Sequence, residues 1–327
     1  MEGMRVARLY GAGDLRVSQE PDPVDVPAGH RRVRVTAVGL CGSDLHWFAE
    51  GGIGDAVVGD PLVLGHEFAG VLDDGTRVAV DPAIPCGVCA SCLEGNPNLC
   101  TTVRFAGHST QDGGLRELLV WPAHRLHPLP DTISDAGGAA LEPLGVAIHA
   151  FDLGHVRIGA TVAVVGCGPI GLLVVQLARA AGATSVLAVE PLAHRRRAAL
   201  DYGADAAVSP DEAAEHPGGF DVAFEVAGTD AAVEIAMQLV RPGARVVLAG
   251  IPDDDRTSFP AGLARRKGLS LIMVRRMKDV YPRAIALVER GLVDVESLVT
   301  ARYPLERADE AFAAAVKREG LKTVVTP

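Results

Sequence analysis

No apolar stretch in this chain approaches the roughly 20 residues needed to cross a bilayer, because Pro, Gly or charge interrupts each one. A membrane-embedded protein is not expected. Basic runs are equally scarce: Arg195 to Arg197 is short and isolated, and the formal net charge is -10. Such a surface argues against nucleic acid as the main partner. The N-terminus lacks the layout of an export signal, since Met1 to Tyr10 alternates charged and apolar residues and reads as a first strand. Neither an internal repeat nor a low-complexity linker is found. Cysteine is limited to six residues, four of them crowded together, which favours a reducing compartment and makes the cytoplasm the expected location. What is present is bulk. At 327 residues and 48% hydrophobic, the chain is long for one core and predicts two domains.

The crowded cysteines are Cys86, Cys89, Cys92 and Cys100. Zinc takes four thiolates at the corners of a tetrahedron, and short Cys-x-x-Cys steps let a turning backbone aim successive sulfurs at one point. Pro85, Gly87, Gly95 and Pro97 supply the turn chemistry. Two disulfides of a secreted protein, or four unrelated buried thiols, are the competing explanations. A closed four-sulfur zinc shapes a lobe and leaves no coordination position for chemistry.

The first 150 residues carry short β-type runs, including Arg32 to Val38, Arg77 to Val80 and Leu115 to Val120, and Asp74-Gly75 marks a tight hairpin. From about Thr161 buried strands alternate with Ala-rich helical segments. Thr161 to Val165, Ser185 to Val189, Asp221 to Glu225 and Arg245 to Ala249 read as strands, with Ile170 to Ala181 and Ala231 to Leu239 as helices. That rhythm predicts a doubly wound parallel sheet. After Tyr281-Pro282 a helix, Arg283 to Arg290, precedes a tail ending in a strand at Lys322 to Val325, which could return to the first lobe.

Gly166-Cys167-Gly168-Pro169-Ile170-Gly171 follows an apolar strand and opens a helix. In that position the glycines permit a tight turn, close approach to a pyrophosphate and tight packing of helix on sheet, and the helix offers free N–H groups to the phosphates. Cys167 needs only to be small and reads as packing. Nineteen residues past Gly171, Glu190 ends the next strand, where a carboxylate accepts from ribose hydroxyls and repels a 2′-phosphate. NAD is favoured over NADP, with Arg195 to Arg197 as the feature that speaks for a phosphate.

Cys41 opens Cys41-Gly42-Ser43-Asp44-Leu45-His46 after a strand, and His66-Glu67 sits in Leu64-Gly65-His66-Glu67-Phe68. Together they imply a Cys, His, carboxylate metal site with one position left for water or substrate. With these motifs, the four-cysteine lobe, Asp112-Gly113-Gly114, Leu141-Glu142-Pro143-Leu144 and the glycine loop in this order, the chain resembles the zinc-dependent medium-chain dehydrogenase/reductase superfamily, in its sorbitol (polyol) dehydrogenase branch. The resemblance spans nearly the whole chain. It implies an α/β fold with a GroES-like, mostly β catalytic domain at 1–150, including the zinc lobe at 86–100. A Rossmann NAD-binding domain follows at 151–282, and 283–327 returns to the catalytic domain.

By the same resemblance Cys41, His66 and either Glu67 or Glu142 hold a catalytic zinc directly or through water. Gly166, Gly168, Pro169, Ile170, Gly171, Glu190, Arg195, Ala249, Gly250, Ile251, Arg275 and Arg276 contact the cofactor. Ser43 is expected to take the alcohol proton and pass it through the ribose hydroxyls to His46; the alternative is that Ser43 and His46 merely cap and pack a short helix. Two zinc ions per subunit, NAD, a small alcohol or ketone substrate and a homodimer or homotetramer complete the expectation. The activity implied is oxidation of a secondary alcohol of a polyol, cyclitol or sugar acid to a ketone. A threonine-like amino-alcohol dehydrogenase, an NADPH-dependent reductase and a catalytically silent dinucleotide-binding sensor are the alternatives.

Two departures from the branch are visible. Trp47 and Phe48 follow His46 where a tyrosine is usual, and Met277 follows Arg276 where an aromatic residue is usual, which together predict a more apolar substrate pocket. Arg275, Arg276 and Lys278 nevertheless concentrate positive charge that would suit an aldonate carboxylate as well as a neutral polyol, with solvated surface residues as the other reading.

Overall fold

In the computed structural model, which describes residues 3–54, 56–253 and 255–327, the chain divides into two compact units. One comprises Met1–Glu142, Tyr281–Glu289 and Val295–Pro327; the other comprises Pro143–Val280 and Arg290–Asp294. The division falls inside the Leu141–Gly154 helix and not at residue 150, because that helix runs unbroken past Glu142. The returning tail is likewise interrupted, with Arg290–Asp294 belonging to the second unit, where Gln176 exchanges hydrogen bonds with the backbone of Asp294.

The first unit is built on a seven-stranded sheet whose long central strand, His30–Gly39, pairs antiparallel with Glu67–Leu72 along one edge. Its other edge is shared. Leu118–Pro122 takes the first half and Lys322–Thr326 the end, at Val38 and Gly39. The last strand thus enters the middle of a sheet begun some three hundred residues earlier, and Val299–Pro304 then pairs parallel with it. The Asp74-Gly75 hairpin forms as read, with Gly75 at φ 86° between Glu67–Leu72 and Arg77–Val80. The expected strand from Met1 begins outside the described residues; the strand itself is Met4–Gly11, paired with Asp14–Glu20. Val6, Leu9, Val33, Val38, Leu64, Phe68, Trp121 and Phe312 fill the core of this unit.

The second unit is a six-stranded parallel sheet in the order Ala206–Val208, Ser185–Val189, Thr161–Val165, Phe220–Glu225, Val240–Leu248, Ser270–Met273. This is the doubly wound order in which the first strand lies at the centre and dinucleotides bind beyond the carboxyl ends at the reversal point. Its strands from Thr161 and Ser185 carry apolar runs, Val162-Ala163-Val164-Val165 and Val186-Leu187-Ala188-Val189 being buried, as in a parallel sheet covered on both faces. Among the described residues no helix is long and apolar enough to cross a membrane.

Candidate functional site

Three side chains meet at the end of the central strand of the first unit. Cys41 caps the Gly42–Glu50 helix, and His66 and Glu67 lie where the neighbouring strand begins, so that one ligand atom from each falls within 4.8 Å of the others. Gly65, at φ 91°, makes this turn possible; a Cβ there would meet Val38 Cγ1 at 2.6 Å. His66 and Glu67 are buried.

Asp44 organises the group. Wholly buried, it accepts from the amide of Cys41 through Oδ2 at 3.0 Å and from Gly65 through Oδ1 at 3.2 Å, and Oδ1 also lies 3.3 Å from His66 Nδ1. Burial opposes its charge, yet the His66 ring and the two amides hold its pKa below the usual carboxylate value. With Nδ1 engaged, Nε2 is the imidazole nitrogen left to bind a metal. Glu67 supplies the test of fit. Its Oε2 is paired with the Lys322 ammonium, while its buried Oε1 has no hydrogen-bond donor. An orphaned buried carboxylate oxygen beside a thiol and an imidazole is the donor set that zinc takes in open sites. Glu142 stands outside this trio, buried, and burial first, then the neighbouring Glu67 and Asp81, push its carboxyl up to about 7.

On the same helix Ser43 and His46 are spaced to share a face, and His46 Nδ1 lies 3.2 Å from the Glu50 carboxylate. Trp47 is 2% exposed, packs in the core of this unit and meets the His108 ring edge-on. Met277 is likewise buried, against Gly145, where its sulfur would lie 2.3 Å from an added Cβ.

The sulfurs of Cys86, Cys89, Cys92 and Cys100 also converge within 4.8 Å, and all six cysteines of the chain are free thiols, which removes the disulfide explanation. The amide of Cys86 donates to Cys100 Sγ and that of Cys89 to Cys86 Sγ, both at 3.3 Å. Amide donors from Val88 and Cys89 bring Cys86 down to about 6, while desolvation, then the neighbouring Cys89 sulfur, drives Cys92 up to about 12. Four sulfurs this close cannot all ionise without a cation among them, so the donor set fits zinc.

In the second unit Gly166 (φ 97°) turns the chain out of the first strand, Gly168 caps the Pro169–Ala180 helix, and Pro169 and Ile170 begin it. Gly171 cannot carry a side chain, because a Cβ would lie 1.9 Å from Gly166 O. Glu190 is buried and fixed to the same loop, its Oε2 accepting from Cys167 N at 2.8 Å and its Oε1 from Leu192 N at 3.0 Å. Arg195 lies beside Gly168, whose missing Cβ would be 3.7 Å from its Nη1. Arg196 is committed to the carbonyls of Glu190 and Pro191, and Arg197 to Asp201. Cys167 is fully buried, and burial pushes its thiol well up, as a packing role requires. The amides of Ala249 and Gly250 donate to Glu225 O, Ile251 is half exposed, Arg275 is exposed, and Arg276 adopts φ 52°, unusual for a side chain of its size. Glu225, which sequence reading passed over as a strand end, is buried and accepts from the amides of Ala227 and Gly228 at 2.7 Å each, holding the next loop at the carboxyl edge.

Asp44 was legible as the third residue of a helix whose cap is Cys41, the position of a capping-box carboxylate. Lys322 had no such signal.

Residues 27–131 match the family model described as the alcohol dehydrogenase GroES-like domain, and residues 169–290 the one described as zinc-binding dehydrogenase. Sorbitol dehydrogenase of Bacillus subtilis is 33% identical over 348 aligned positions, which cover 100% of this chain and 98% of that protein. L-idonate 5-dehydrogenase of Escherichia coli K-12 superposes with a TM-score of 0.92 at 29% identity, over 99% of this chain and 98% of that one. A short chain alcohol dehydrogenase of Escherichia coli CFT073, solved with NADH, gives a TM-score of 0.90 at 28% identity over the full length of both chains.

Proposed function

From the premise that the chain belongs to the zinc-dependent medium-chain dehydrogenase/reductase superfamily, in its sorbitol dehydrogenase-like branch, and is an oxidoreductase, we propose that it oxidises a secondary alcohol of a polyol, cyclitol or sugar acid to a ketone with NAD. The carrying observation is the meeting of Cys41, His66 and the unpartnered Glu67 Oε1. Zinc, when bound, supplies the Lewis acidity that favours loss of the hydroxyl proton, and the nicotinamide accepts the hydride.

The chain's own residues do the rest. Asp44 fixes the His66 ring and, through the Cys41 amide, the start of the helix that carries the thiol. Ser43 Oγ accepts the proton and hands it on toward His46, whose Nδ1 faces Glu50. Glu142, pushed up to about 7, is poised to hold or release a proton near neutral pH. A second zinc at Cys86, Cys89, Cys92 and Cys100 shapes its lobe. Glu190, fixed into the glycine loop, favours NAD, and the commitment of Arg196 and Arg197 to other partners weakens the case for a 2′-phosphate. We place the enzyme in the cytoplasm, a reading supported by its six free thiols. A homodimer or homotetramer is supported by the outer edge of Ser270–Met273, which has no strand partner among the described residues and leaves Met273 67% exposed.

Within the substrate class, the grouping of Arg275, Arg276 and Lys278 favours aldonates. The test is NADH absorbance across a panel of polyols, cyclitols, aldonates and amino alcohols, repeated with NADP. Turnover of at least one of the first three with NAD is expected, with aldonates leading. Activity confined to threonine-like substrates would overturn the branch, and inert aldonates beside active neutral polyols would remove the cationic argument.

A further inference from the structure

We propose that Lys322 is a stand-in cation for the metal at Cys41, His66 and Glu67, neutralising the Glu67 carboxylate while the site is empty and competing with the ion for it. This rests on the metal reading above. Glu67 and Lys322 reach each other from the two strands that flank His30–Gly39, and they meet over Gly39. The glycine is required there, since a Cβ would fall 2.3 Å from Glu67 Oε2 and 3.0 Å from Lys322 Cε. Both side chains are sealed, with 3% of Lys322 and 1% of Glu67 exposed. The ammonium donates to Leu40 O at 2.9 Å and pairs with Glu67 Oε2.

A buried carboxylate without a counter-charge is strongly unfavourable, and breaking such a pair from one side leaves that charge uncompensated. His66 is already engaged by Asp44, so in the metal-free chain the lysine is the cation paired directly with Glu67. Were Glu67 Oε1 to hold a divalent ion, that ion would supply the compensation, and the lysine would become redundant for Glu67 and repel it. Lys322 is accordingly a positioning residue whose contribution depends on whether metal is present.

The test compares full-length wild type, Lys322→Met and Lys322→Met/Glu67→Gln, each after chelation and after reloading with zinc. Loss of the four-cysteine zinc is common to all three and cancels between them. Lys322→Met is expected to lower the melting temperature of the chelated chain by about 6 °C or more and that of the loaded chain by less than half as much. Zinc at this site, followed by competition with a chromophoric chelator, is expected to bind about tenfold more tightly. The double variant, with no buried charge on either side, should regain chelated stability. Equal losses in both states, or weaker zinc binding by Lys322→Met, would overturn the proposal. If Lys322→Met does not fold without metal, recovery of folding by the double variant supports the proposal and continued failure overturns it. Wild type that takes up no metal at this site would instead remove the metal reading itself.

Discussion

Asp44 shows how much one side chain can decide. Its two oxygens serve the amides of Cys41 and Gly65 and the His66 ring, so both halves of the metal-binding cluster take their orientation from it. An amide at this position has one acceptor and one donor end, and either end facing the Gly65 amide or the ring nitrogen incorrectly leaves a buried polar group unmatched. Asp44→Asn is therefore expected to weaken zinc at this site about 10–100-fold. Elemental analysis after dialysis should fall from near two zinc per chain to near one, with the four-cysteine ion retained. Retention of two would show that Asp44 does not hold the ligands.

At the scale of elements, what could be read in advance depended on how local the physics was. The glycine loop was legible because its three glycines, the apolar strand before and the helix after all lie within about twenty consecutive residues, and each has one steric purpose. The four-cysteine cluster was legible for the same reason. Trp47 sits three positions after Asp44 and so shares the buried face of its helix. The Val240–Leu248 strand extends earlier than the apolar run from Arg245 because Val240 pairs with Phe220 ahead of an irregular register. Lys322 was out of reach, since its partners, Leu40 and Glu67, lie more than 250 residues away and only the completed sheet brings them together. The exposed edge of Ser270–Met273 carries a prediction at this scale. An open edge with an apolar tip invites a second copy, and a charge on it opposes pairing. By light scattering, Met273→Lys should give a smaller species than the wild type, with unchanged tryptophan emission. A monomeric wild type, or a variant of unaltered mass, would dismiss this edge as an interface.

For the molecule as a whole, the two units draw on separate cores and carry separate chemistry. Both candidate metal sites and both tryptophans, Trp47 and Trp121, belong to the first unit, and the glycine loop with Glu190 belongs to the second. The first unit cannot complete its sheet until Lys322–Thr326 arrives, and its polar interior, including Asp44, Glu67, Glu142 and Lys322, calls for the most compensation. The parallel sheet of the second unit is packed by Val, Ala, Leu, Phe and Met, and its buried carboxylates, Glu190 and Glu225, are met by backbone amides. Metal removal should accordingly act on one unit first, as expected where local stabilities differ. In the intact chain, chelation is expected to lower the unfolding midpoint followed by tryptophan emission by several degrees. NADH affinity, followed by the nucleotide's own fluorescence below that midpoint, should stay within about threefold of its starting value, because the groups that bind it remain folded. Were nucleotide binding to disappear with the metal, the second unit would have to depend on the first for its fold, and the independence argued from their cores would be wrong.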